Sequence, residues 1–206
     1  MGAASSTSLP SHSSTQHRVH LAVSSLISVP GTNGACWIKD AYHTSIVVDE
    51  MEFAFTASGI LQQPLDRYDR ASHGHQEAVL IDLGASTISG LEMNCLLQPY
   101  FEAGTYDMLR KNCNTFSDMA LFCLLGHRLE EKYRSLERVG SWIDDWTGLM
   151  PLLSGFKYSS NPKARDFRVP EVLRYIEIAT RQREHSSPSP LPAILKSRYR
   201  VNKKHL

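Results

Sequence analysis

Asn112-Cys113-Asn114-Thr115-Phe116, read with Tyr42-His43-Thr44-Ser45 some seventy residues upstream, decides how this chain folds. After Cys113 the apolar residues Phe116, Ala120, Leu121 and Leu124 recur at three- and four-residue steps, the pattern of a helix packed on a core. Asn112 suits the N-cap of that helix and Gly126 its stop, so the helix spans about Asn112 to Leu125. Cys113 then lies in the first turn, where the partial positive charge of the helix end favours a thiolate. His43 precedes Ile46-Val47-Val48, a β-branched run, and Glu52-Phe53-Ala54-Phe55 follows after Asp49-Glu50. The spacing predicts a hairpin over 42–57 with the histidine on its rim. A thiol and a nearby imidazole are what a cysteine hydrolase needs. The residues leave a second reading open, a small buried core cysteine and a surface strand histidine, since free cysteine is among the most buried residue types.

These segments, together with Tyr106 before the cysteine and Ser117 after it, resemble the PPPDE family of thiol peptidases, also called the DeSI family. Val79-Leu80-Ile81-Asp82-Leu83-Gly84 is similar to the strand that leads into that family's first long helix, and Ser141-Trp142-Ile143 to its closing segment. The resemblance covers roughly residues 18 to 156. It implies an α+β domain, a circularly permuted papain-like cysteine peptidase fold with a small antiparallel sheet packed on helices and the histidine ahead of the cysteine. It further implies His43 as general base and Cys113 as nucleophile, a dyad with no required third member. The implied activity is an isopeptidase that removes ubiquitin or a ubiquitin-like modifier such as SUMO, with ubiquitin- or SUMO-conjugated proteins as partners. A protein thioesterase or depalmitoylase would use the same dyad, and a non-catalytic membrane-associated adaptor would need neither residue. For the oxyanion, the backbone N–H of Cys113 is the natural first donor; no second donor is identifiable, and Asn112 is better read as the cap. One departure stands out: where the family carries a glycine-rich turn after the second hairpin strand, this chain reads Thr56-Ala57-Ser58-Gly59-Ile60.

Composition agrees with one ordinary domain plus tails: 206 residues, 42% of them hydrophobic, with no apolar run near the roughly 18 residues of a membrane span. Residues 1–17 read as a disordered Ser/Thr-rich leader, 18–156 as the catalytic domain and 157–206 as a basic extension. Strands are expected at 18–26 and 78–83, and helices at 87–101, 136–146 and 171–183. The polar stretch from Gln62 to Gln76 reads as a loop; its His73-Gly74-His75 lacks the further ligands a metal would require, so no metal or cofactor is expected. Cys36, Cys95, Cys113 and Cys123 show no Cys-x-x-Cys spacing, and no secretory signal is visible, which points to reduced thiols and a cytoplasmic setting.

The formal net charge of +1 conceals a split, −7 over residues 1–156 and +8 over 157–206. A basic tail on an acidic domain suits an anionic membrane face or an acidic partner, and without aromatic interleaving nucleic acid ranks last. Met1-Gly2-Ala3-Ala4-Ser5-Ser6 fits the pattern for myristoylation at Gly2. One acyl chain binds membrane marginally, so the tail around Arg198, Arg200, Lys203 and Lys204 would supply the second signal for reversible contact.

Overall fold

Five strands build one antiparallel sheet in the computed structural model of the chain, which describes residues 15–25, 42–65, 78–134 and 159–185. They are β1 (His17–Ser25), β2 (Tyr42–Val48), β3 (Met51–Thr56), β4 (Gly59–Pro64) and β5 (Val79–Ser86), in the spatial order β4-β3-β2-β1-β5. Three α-helices follow among the described residues: α1 (Gly90–Leu97), α2 (Cys113–Leu125) and α3 (Val169–His185). The chain is thus an α+β fold with strands first and helices after, as the sequence implied.

The β2–β3 hairpin closes through Asp49 and Glu50, both at positive φ (48° and 68°), the backbone twist that a two-residue hairpin turn requires. The Asp49 carboxylate accepts the Arg18 amide at 3.0 Å and bonds the His17 ring, which ties the turn to β1. Cross-strand register puts Leu21 beside Ile46 and Ile46 beside Phe53 on one sheet face. That face forms the core with Val19, Val48, Phe55 and the helices.

Helix α2 runs through the middle of this core. Eleven of its residues are buried, including Phe116, Met119 and Ala120 at 0% exposure. A helix buried all round must satisfy its polar side chains internally, and Asp118 does so by accepting the Arg128 guanidinium and the Leu129 amide (2.8 Å). Phe116 meets Phe101 edge-to-face at 5.2 Å, and α3 lays Val172 and Ile176 into the same cluster. Helix α1 starts against the sheet: a Cβ on Gly90 would fall 2.6 Å from the Phe53 ring.

Most expected elements appear, with shifted ends. The strand expected at 78–83 continues to Ser86, through Gly84 at φ +102°. The helix expected from 87 begins at Gly90, because Ser89 and Glu92 form a capping box there, and its last residues, Gln98–Tyr100, tighten into a 3-10 turn. One correction is needed: Gly59–Pro64, partly read as loop, is the edge strand β4, paired to β3 from Thr56↔Gly59 to Met51↔Pro64. Its Gln62-Gln63-Pro64 end lacks the apolar alternation that marks a strand, and pairing alone makes it one. Gly2, Cys36, His73-Gly74-His75, the expected helix at 136–146, Ser141-Trp142-Ile143 and the basic tail beyond 185 lie outside the described residues.

Candidate active site

The site is built where the start of α2 meets the first half of β2. Asn112 caps the helix, its Oδ1 accepting the Thr115 amide at 2.9 Å while the Thr115 hydroxyl accepts the Asn112 amide at 3.3 Å. The Asn112 amide group also donates to the Met108 carbonyl at 2.8 Å, which fixes the loop leading into the helix. That loop is tied down further. Asp107 accepts the amides of Leu109, Arg110 and Asn161, and the Asn161 side chain donates to the carbonyls of Gly104 and Tyr106. Lys111, 5% exposed, extends its ammonium within 5.7 Å of the Phe55, Phe101 and Phe167 ring centroids and donates to the Thr105 hydroxyl. Cys113 is therefore the first residue of a helix whose entry is held from several sides.

On the other side, the β2–β3 ladder runs from Val48↔Met51 to Ile46↔Phe53 and ends there, while β1 pairs with β2 along its full length to Ser25↔Tyr42. Tyr42 to Ser45 thus have one neighbouring strand instead of two. The start of α2 fills the gap. Asn114, 1% exposed, donates its Nδ2 to the Tyr42 carbonyl at 2.8 Å and accepts the Thr44 hydroxyl at 2.8 Å on Oδ1. The Thr44 amide and the Tyr106 hydroxyl approach the Cys113 thiol closely enough to oppose the rise of its pKa. Tyr42 and Thr44 are two apart and so address the same side of the strand.

Cys113 is 4% exposed, and its Sγ lies 3.6 Å from Asn114 Oδ1. Burial pushes its thiol up; the Thr44 amide, the Tyr106 hydroxyl and the amides of Asn114 and Cys113 oppose this without cancelling it. Burial also raises the Tyr106 hydroxyl, and the neighbouring thiol adds to the effect. In the free protein the balance favours a neutral thiol, which donates to Asn114 Oδ1.

His43, half-buried, sits between Tyr42 and Thr44, the two residues whose backbone groups meet α2, and opposite Ser24 of β1. Thus both residues singled out in the sequence stand at one end of the sheet, His43 between the two strand residues that Asn114, next to Cys113, bonds. Three further participants escaped attention: Asn114, Thr44 as an amide donor, and Tyr106 as a hydroxyl donor. Each lies inside a quoted motif. A second amide at Asn114, after Asn112 already caps the helix, is the legible hint; the approach of Thr44 and Tyr106 to the sulfur is long-range and leaves none.

Cys95 and Cys123 have other surroundings. Burial raises both thiols, that of Cys123 to about 12, and Glu92 adds to the rise. A family model described as "PPPDE putative peptidase domain" matches residues 13–152. No curated protein matches the chain.

Proposed function

Because the chain belongs to the PPPDE peptidase family, we propose that it is a cysteine isopeptidase that releases ubiquitin or SUMO from proteins, with Cys113 as nucleophile and His43 as general base. The imidazole takes the thiol proton as the sulfur attacks the carbonyl carbon of the isopeptide bond. The carbonyl oxygen becomes an oxyanion, and the amides at the helix start, with Thr44 N–H and the Tyr106 hydroxyl, are the donors available beside the sulfur. When the intermediate collapses the C–N bond breaks and the imidazolium protonates the leaving lysine amine. Water, deprotonated by the imidazole, then hydrolyses the thioester and returns the thiol.

The observation that supports this reading is Cys113 at the capped start of α2, with Asn114 of the same turn bonded to Tyr42 and Thr44 on either side of His43. A thiol held neutral by burial needs a base at the moment of attack, which is the part assigned to His43. The test uses ubiquitin and SUMO bearing a C-terminal electrophile. One covalent adduct at Cys113 is expected, absent in Cys113→Ala and strongly slowed in His43→Ala. No adduct with either probe, or an adduct that survives Cys113→Ala, would refute the proposal. Hydrolysis of an acyl thioester without probe labelling would move the assignment to a thioesterase.

A further inference from the structure

Asn114 directly follows the candidate nucleophile, yet its side chain reaches back onto β2. One end of its amide donates to the Tyr42 carbonyl and the other accepts the Thr44 hydroxyl, both at 2.8 Å. The residue between those two positions is His43. The Asn114 side chain therefore holds the strand on both sides of the histidine, at the stretch where β3 no longer pairs with β2. A strand end secured along one edge opens readily, and an imidazole carried on it would lose its alignment with the sulfur. We infer that Asn114 is a positioning residue: it takes the place of the missing β3 rungs and fixes the His43 strand in register with the Cys113 helix.

This rests on the reading of Cys113 and His43 as a dyad. The geometry favours positioning over general packing. Asn114 is an amide in a first helical turn, where side-chain amides ordinarily cap their own backbone. That duty is already filled by Asn112, so the Asn114 amide is free to bridge to another element. Both ends are used, and its oxygen also faces the Cys113 sulfur at 3.6 Å, so one group touches strand and nucleophile together. A displacement of about 1 Å in such a pair is enough to cost roughly a hundredfold in rate.

The experiment measures iodoacetamide alkylation of Cys113 against pH in the full chain, resolved by peptide mass spectrometry, with thermal melting alongside. The variants are Asn114→Ala, Thr44→Val and Thr44→Ser. Asn114→Ala should slow alkylation at neutral pH by about tenfold or more and displace the profile upward by about one pH unit, the shift equivalent to that factor. Thr44→Val, which deletes one of the two bonds and keeps the shape, should shift it in the same direction by less. Thr44→Ser, which keeps the hydroxyl, should restore it. Profiles of both Asn114→Ala and Thr44→Val that match wild type while melting falls would overturn the inference alone. A wild-type Cys113 no more reactive than Cys123 would overturn the dyad, and the role of Asn114 with it.

Discussion

Removing the Asn112 side chain should separate the stability of the site from its reactivity. In Asn112→Ala the N-cap bond to the Thr115 amide is lost, a change worth about 1 kcal/mol in a typical helix. Thr115 is at 0% exposure, so its amide cannot turn to water, and leaving a buried donor unpaired costs about 1–3 kcal/mol. These two figures describe one bond in part, so the sum lies near 2–3 kcal/mol. The Met108 carbonyl adds little because Met108 is 46% exposed and water can replace its partner. For a chain of this size, about 2–4 °C of melting temperature per kcal/mol gives a drop of about 4–12 °C. Asn112→Asp keeps the acceptor at the helix start, but it buries a carboxylate at a site with 0% exposure and sets an oxygen against the Met108 carbonyl in place of the Nδ2 donor, so it should also lose stability. That charge stands one residue from Cys113 and disfavours its thiolate. Both variants should thus melt below wild type, and alkylation of Cys113 should separate them, with Asp the less reactive. A melting loss below about 1 °C in Asn112→Ala, or an Asn112→Asp thiol as reactive as wild type, would refute the reasoning.

Gly90→Ala should destabilise by about 1–2 kcal/mol although alanine is the better helix former, because the added carbon overlaps a Phe53 ring with 1% exposure, and chemical denaturation will show it. Cys123 should contribute stability below its ordinary thiol range, near 9, that is lost as pH rises toward about 12, since the unfolded thiol ionises first; Cys123→Ala should lose less stability over that window in pH-dependent melting. Peptide mass spectrometry after brief alkylation should find Cys95 and Cys123 largely unmodified when Cys113 has reacted. We also propose that Gly2 is myristoylated and aids reversible membrane contact: Gly2→Ala should move the protein into the soluble fraction, deletion of 196–206 should do so in part, and an unacylated Gly2 in the native host would sink the idea. No helix among the described residues is long and apolar enough to cross a membrane.

By itself the sequence determined the elements that local chemistry encodes. Asn112 and Gly126 bound α2 because a cap and a left-handed stop act within one turn, and Gly126 indeed sits at φ +73°. The hairpin with His43 on its rim was legible from β-branched alternation and a two-residue turn. The charge split and the Met1–Ser6 pattern are properties of residue order alone and stand apart from the fold. What only the tertiary structure decided is which backbone groups lack a strand partner. β4 runs on through the polar Gln62-Gln63-Pro64 because β3 offers an open edge. β2 loses β3 beyond Ile46, and that absent pairing creates the place where Asn114 bridges to Tyr42 and Thr44. The thiol's state belongs to this level as well: a helix start favours the thiolate locally, yet burial of Cys113 outweighs it. Desolvation depends on every element packed around the sulfur, and no short stretch of sequence carries that sum.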